Sequence, residues 1–279
     1  EFKVKILSSA KINLNLMINS EKIDGLHTLS TLMVPINLFD EIEIHEIENT
    51  EDVIEFATEI EIDGESTIHK AMKALRRVNN FEQKFHIKIL KNIPTEAGLG
   101  GGSSNAGSVL KYMSNKYNLA IPGMSTIAKD IGSDVPFFVK GQSAKVEGFG
   151  EEVNSIEIVE PQHFIIATPH ETLSTKKVFE SFDKLERRIK IDSDFYKGVE
   201  IRNNLWQAAV NVEPKLLEHK EYLEKTTDKE FYMSGSGTTL FCCGEEQQLL
   251  KNLDAIEKDR FRMVATTKKI DCSLLQEAD

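Results

Sequence analysis

The chain has little cysteine, a single tryptophan and no excess of positive charge. Its three cysteines, Cys242, Cys243 and Cys272, form an odd set without metal-ligand spacing. Adjacent cysteines rarely bridge one another, so reduced cytosolic thiols are the simplest reading. The seven histidines show no HExxH or comparable ligand pattern. No apolar run approaches the roughly 20 residues that a membrane helix needs. A formal net charge of −11 provides no basic stripe for a nucleic acid. A small-molecule partner is therefore expected, with no nucleic acid, no membrane and a monomer or weak homodimer. No signal peptide stands out, so a cytoplasmic place is expected. The chain opens on Glu1-Phe2, and a removed plastid-type transit segment is compatible with that start.

What is present is an ordinary globular composition, 40% hydrophobic and 28% charged, over 279 residues. Ile12, Leu14, Leu16 and Ile18 alternate with polar partners, as a half-buried strand does. The same period recurs in EIEIHEI from Glu41 and in VIEFATEIEI from Val53 to Ile62. Ile68, Met72, Leu75 and Val78 follow helical spacing, and KFHIKIL from Lys84 is a strand again. Ala106, Val109, Leu110 and Met113 predict a helix that Ser103, Ser104 or Asn105 could cap. A shorter helix is expected near Ser125 to Ile131, and FFVKGQSAKVEGFGEEV reads as a hairpin. In the second half, strands are expected at His163 to Pro169, on both sides of the SGSG turn and at Phe261 to Thr266. Helices are expected around Lys176 to Phe182, Asn204 to Val210, Pro214 to Glu224 and Glu246 to Ile256. The class is α+β, divided between residues 1–155 and 156–279.

IPTEAGLGGGSSNAG, Ile93 to Gly107, concentrates glycine in one loop. Glycine loses more backbone freedom on folding than any other residue, so such a run needs a reason. A linker is disfavoured, because the run lies mid-domain with a strand before it and a helix after it. A strand, a glycine loop and a helix start together bind anions, since free N–H groups and the helix dipole point at the loop. The Walker A pattern is absent, as Gly102-Ser103-Ser104 has no lysine. The dinucleotide fingerprint is incomplete, as Ser103 stands at its third glycine.

Pro94, Gly98, Leu99, Gly100, Gly101, Gly102, Ser103 and Ser104 do satisfy another pattern. PTEAGLGGGSSNA closely resembles the second motif of the GHMP kinases, and MSGSGTTLF from Met233 is similar to their third. SSAKINLNL, DGLHTLSTLMVPINLFDEI and IGSDVPFFVKGQSAKVEGFGE extend the likeness, in order, over nearly the whole chain. They are similar to the branch that acts on a cytidine-diphosphate-linked methylerythritol. The resemblance implies a two-domain GHMP kinase fold, with an N-terminal domain like ribosomal protein S5 domain 2 and a ferredoxin-like C-terminal domain. It implies ATP and Mg2+, with transfer of the γ-phosphoryl group to the acceptor's 2-hydroxyl in non-mevalonate isoprenoid synthesis.

By residue, the resemblance makes Asp134 the general base and Lys11 its partner. By spacing alone, Asp134 is a turn or cap aspartate and Lys11 an exposed strand lysine. It assigns the nucleotide phosphates to Pro94, Thr95, Glu96, Ala97, Gly98, Leu99, Gly100, Gly101, Gly102, Ser103 and Ser104. Ser104 is alternatively a plain helix cap, and the magnesium ligands stay unassigned. Asn13, His27 and Phe179 become acceptor-binding residues, His27 reading the cytosine edge and Phe179 stacking on the base. Phe179 reads equally well as a helix core residue. Leu26 and Met33 stand where aromatics are usual, and NNLW (Asn203 to Trp206) departs as well. Glu96 is a carboxylate inside an anion loop and should point to solvent. A homoserine- or mevalonate-type GHMP kinase, or a non-catalytic nucleotide-binding relative, remains the alternative.

Overall fold

A computed structural model describes residues 3–57, 64–185 and 192–276. The first half runs β1 (Val4–Ile23), β2 (Leu26–Ile47), β3 (Val53–Phe56), α1 (Thr67–Val78), β4 (Lys84–Leu90), α2 (Gly101–Tyr117), α3 (Met124–Asp130), α4 (Val135–Lys140), β5 (Ala144–Gly148) and β6 (Glu152–Ser155). The second half runs β7 (His163–Pro169), α5 (Thr175–Lys184), β8 (Asp194–Tyr196), β9 (Val199–Asn203), α6 (Trp206–Val212), α7 (Lys215–Thr227), β10 (Tyr232–Met233), β11 (Leu240–Cys243), α8 (Glu246–Ala255), β12 (Phe261–Lys268) and β13 (Leu274–Gln276).

Two sheets result. The larger has the order β3-β4-β2-β1-β9-β8, with β13 on β1 and the β5–β6 hairpin on β2. The smaller is β10-β11-β7-β12, all antiparallel. This mixed two-sheet architecture is of the expected α+β class. Although β9 and β13 come from the second half of the chain, both pair with β1 in the large sheet.

Packing follows from the periodicities. Ile42, Ile44, Phe85, Ile87 and Ile89 present one face of the large sheet to α1 and α2, burying Ile68, Met72, Leu75, Val109, Leu110 and Met113. Val78, at the end of the same helical stripe, stays exposed. A second core lies between the sheets. Ala10, Ile12, Leu14, Val34 and Ile36 meet Phe164, Ile166 and Phe241 there. Ile93, Ala97 and Leu99 of the glycine loop are buried in that core, which ties the loop down through its apolar positions.

Three expectations change. Val135–Lys140 is a helix, so the hairpin is confined to Ala144–Gly148 and Glu152–Ser155. Val135, Phe137 and Phe138 are all fully buried, and such a continuous apolar run carries no readable period. The helix after the glycine loop starts at Gly101 and is capped by Gly100 in the left-handed region, with no side-chain cap. The strand expected from Val53 is described only to Phe56, and the expected positions 58–62 lie outside the described residues. The β1–β2 turn, Asp24-Gly25, takes positive φ at both residues, as a type I′ hairpin turn requires.

Among the described residues no helix is long and apolar enough to cross a membrane. Cys242, Cys243 and Cys272 are free thiols, and burial pushes Cys242 up to about 12.

Candidate active site

β1 builds the centre of the site. Its apolar phase fills the inter-sheet core, and its polar phase is buried as well. Lys11 is 2% exposed and Asn13 4%. The Lys11 ammonium carries three N–H donors. Gly98 O accepts one at 3.0 Å, Asn13 Oδ1 accepts another, and Asp134 Oδ2 lies 3.5 Å away. Burial pushes the Lys11 pKa down, and the Asp134 carboxylate opposes that shift. Asn13 is held in turn: its amide group donates to Thr31 Oγ1 at 2.9 Å and its backbone N–H to Ser234 Oγ at 3.1 Å. Lys11 is thus a buried residue, and the exposed-lysine alternative is set aside.

Asp134 is the N-cap residue of α4, with Pro136 in the first turn. Its side chain makes no capping hydrogen bond, leaving the carboxylate to face Lys11 from a 30% exposed position.

The two glycine loops interlock beside this pair. Gly98 has φ +73°, and a Cβ there would stand 2.1 Å from Ser234 O. Only glycine meets both demands. Ser234 Oγ donates to Gly98 O at 2.9 Å, and Thr239 N–H donates to Ala97 O at 3.0 Å. The resulting cleft of about 420 Å³ is lined by Lys11, Glu96, Gly98, Gly100 and Asp134 on one side, and by residues 173–176 and 235–237 on the other. The free amides of the first turn of α2 open beside Gly100.

The remaining loop residues divide. Ala97 and Leu99 are core, Pro94 is half-buried, and Thr95 is exposed. Glu96 is exposed, with φ +50°, and stands on the cleft wall as well as facing solvent. Gly101 is buried, and a Cβ on it would press on Ile93 and Lys91 at 3.0 Å, inside the protein. Gly102 is exposed, with its carbonyl held by Thr67 Oγ1 at 2.7 Å. Ser103 is half-buried, its hydroxyl near Gly132. Ser104 is fully buried and its Oγ bonds Ser8 Oγ at 2.7 Å, so its side chain faces the sheet and not the cleft.

Behind the loop lies a residue that the sequence reading passed over. Asp40, in the second half of β2, is fully buried. Its Oδ1 accepts from the N–H groups of Asn92 and Ile93 at 2.7 and 2.8 Å, where the loop begins. Its Oδ2 accepts from Asn105 Nδ2 at 3.0 Å, where α2 is under way, and pairs with Lys91. One carboxylate therefore pins both ends of the glycine loop. No local pattern marks Asp40, because its partners lie 51 to 65 residues away.

His27 and Phe179 come together at the middle of α5, their ring centroids 5.8 Å apart. His27 Nδ1 meets Asn19 O and Nε2 meets Asp183 Oδ1, both at 2.6 Å. Leu173, Ser174, Thr175 and Lys176 are cleft residues that the sequence reading did not assign. The signal was the Ser174 cap of α5, which reads like any other helix start.

A buried ammonium facing a partly exposed carboxylate between two glycine loops, on a two-sheet scaffold, fits a class of phosphoryl-transfer folds. Residues 66–142 match the pattern of the GHMP kinases N terminal domain. A solved 4-(cytidine 5'-diphospho)-2C-methyl-D-erythritol kinase superposes with a TM-score of 0.76 at 25% identity, covering 95% of this chain and 99% of that one. A homoserine kinase from Cytophaga hutchinsonii shares the fold, with a TM-score of 0.67 at 14% identity, 99% of this chain and 98% of that one. In sequence, the chain is 35% identical to a 4-diphosphocytidyl-2-C-methyl-D-erythritol kinase of Fusobacterium nucleatum over 259 residues, 86% of this chain and 87% of the relative. It is 32% identical to one of Caldicellulosiruptor bescii over 279 residues, 95% of this chain and 98% of the relative. The chain belongs to the 4-diphosphocytidyl-2-C-methyl-D-erythritol kinase family of GHMP kinases.

Proposed function

We propose that the chain transfers the γ-phosphoryl group of ATP to the 2-hydroxyl of 4-diphosphocytidyl-2-C-methyl-D-erythritol, a step of non-mevalonate isoprenoid synthesis. The observation that carries this reading is the Lys11–Asp134 pair, 3.5 Å apart on the wall of the cleft between the glycine loops. Family membership over most of the chain names the acceptor.

The acceptor hydroxyl sits against Asp134, which takes its proton as the oxygen attacks the γ-phosphorus and ADP leaves. Lys11 acts through Asp134. Its three N–H donors are spent on Gly98 O, Asn13 Oδ1 and the carboxylate, so it holds that carboxylate ionised and aimed. The amides of the α2 first turn and the Gly98–Gly102 backbone cradle the polyphosphate. Such a loose transition state is stabilised mostly by positioning and charge, so the cradle outweighs proton removal. Residues 1–155 form the N-terminal ATP-binding domain and residues 156–279 the C-terminal domain, with the reaction in the cleft between them.

Among the described residues no cluster of three or more His, Cys, Asp or Glu side chains could hold a metal by itself. Mg2+ is usually bound through one or two carboxylates and the substrate phosphates. Asp134 and Glu96 are the carboxylates on the cleft wall, while Ser104 is turned away. The ion, when bound, neutralises charge on the β- and γ-phosphate oxygens.

The test is ADP release measured in parallel with the cytidyl acceptor, mevalonate and homoserine. Turnover confined to the cytidyl acceptor supports the reading. Faster turnover of either other alcohol, or ATP binding with no turnover of any, overturns it.

A further inference from the structure

Pro169 ends β7 and has no N–H to give the sheet ladder. On β12, Phe261 stands opposite Pro169 and Met263 opposite Thr168, so Arg262 is an extra residue between them. Such a bulge re-aims side chains. Phe261 packs with the helices of the second half, whereas Met263 packs on the inter-sheet core with Ile93, Ala97 and Leu99. Alternation from Phe261 therefore turns Arg262 to the inter-sheet side as well, toward the first glycine loop. A row of hydrogen bonds joins the two places. Thr168 shares a 2.8 Å hydroxyl–hydroxyl bond with Thr239, and Thr239 N–H donates to Ala97 O at 3.0 Å. The residue before Ala97 is Glu96.

Arg262 is poorly served where it lies. Its Nε and Nη2 are buried without a hydrogen-bond partner. Leaving buried donors of a charged group unmatched is costly. Burial pushes the guanidinium pKa down, and the charge that opposes this shift is the Glu96 carboxylate. Glu96 is exposed on the cleft wall, at a positive φ that few residues other than glycine adopt. A carboxylate on the wall of a polyphosphate site repels its ligand. So Glu96 has an anion's place before it and, behind it, a cation with donors to spare.

We propose that Arg262 is a positioning residue for the nucleotide: as the polyphosphate enters the cleft, the Glu96 carboxylate turns onto the Arg262 guanidinium, fills its empty N–H groups and leaves the phosphates unopposed. The inference rests on the nucleotide reading of the cleft.

The experiment is equilibrium titration of a non-hydrolysable ATP analogue with Mg2+, at low salt, into wild type, Arg262→Met, Glu96→Gln and the double variant. Met fills much of the same space without unmatched donors, so the melting midpoint of Arg262→Met is expected to be no lower than that of wild type. Arg262→Gln, which stays polar, replaces it should that variant fail to fold. Arg262→Met is expected to weaken the analogue about 10-fold, because Glu96 then stays beside the phosphates. In the Glu96→Gln background the same change is expected to have no effect, and the KM for ATP should follow this pattern while kcat moves less. Equal weakening in both backgrounds, or none in either, overturns the proposal alone, since Arg262 then does not act through Glu96. Weaker binding in Glu96→Gln itself makes Glu96 a metal ligand and overturns it too. A wild type that binds no analogue overturns the proposal together with the nucleotide reading beneath it.

Discussion

Lys11 is fully buried on a central strand, with Asp134, Gly98 O and Asn13 gathered around its ammonium. Burying a charge is costly unless it is paired and hydrogen-bonded, and each acceptor here offsets part of that cost. Asp134→Asn removes the proton acceptor but keeps its shape. The expected outcome is a fall in kcat of about 100-fold, with the nucleotide dissociation constant near wild type by equilibrium titration. The depressed Lys11 pKa adds a pH signature. Rising pH strips the ammonium below the ordinary lysine value of about 10.4. The alkaline limb of kcat/KM is then expected below that value. The sign for stability is opposite: the folded state releases this proton before the unfolded chain does, so Lys11's contribution rises with pH across that window. A pH–rate profile whose alkaline limb lies at the ordinary lysine value would separate Lys11 from the reaction. Gly98→Ala tests the interlock, because its methyl meets Ser234 O at 2.1 Å and its φ is positive. Loss of nucleotide binding together with a lowered melting midpoint is expected. Gly101→Val is a poorer probe of phosphate approach, since its side chain collides with Ile93 first.

The element that matters most is the loop between β4 and α2. Its proposed role as an anion cradle was suggested by a glycine run between a strand and a helix, which has few structural uses. Its anchorage was not, because Asp40 belongs to another strand. Asp40→Ala removes four hydrogen-bond partners and leaves Lys91 unpaired in a buried place. Breaking such a pair costs about 3–5 kcal/mol, to be read by denaturant unfolding. The milder Asp40→Asn is expected to raise the KM for ATP several-fold while kcat changes less, because it loosens the cradle and leaves the Lys11–Asp134 pair in place. Equal effects on both acceptor and nucleotide parameters would make Asp40 a general folding residue. Among the other elements, strands and helices with clean periods were readable. The α4 helix was not, because Val135, Pro136, Phe137 and Phe138 are buried without alternation. The short β8 and β9 form a local hairpin across Lys197-Gly198 with too few residues to show a period, and β13 is held only by tertiary pairing with β1.

At the scale of the whole molecule, the inter-sheet core joins the two halves through the loop itself, with Ile93, Ala97 and Leu99 packed against Phe164 and Phe241. A nucleotide held by that loop therefore stabilises both halves together. At 100 times its dissociation constant, an ATP analogue is expected to add about 2.7 kcal/mol to the stability of the folded state. One cooperative shift of the melting transition in calorimetry is the expected form. Two transitions, only one of them shifted by the analogue, would show that the halves unfold separately.

The amino-acid order alone determined the class of the molecule and pointed to a strand–loop–helix anion cradle, both written in local spacing or in a short motif. Lys11 and Asp134 became a candidate pair only through the family resemblance, since spacing alone reads them as an exposed lysine and a cap aspartate. Tertiary structure decided that Lys11 is buried, that Ser104 faces the sheet, that Asp40 fastens the loop and that Asp183 meets His27. The reason is distance along the chain. Asp183 and His27 are 156 residues apart, and Lys11 and Asp134 lie on different elements. Only the fold sets the angle and depth at which such side chains meet, and local periodicity carries no record of either.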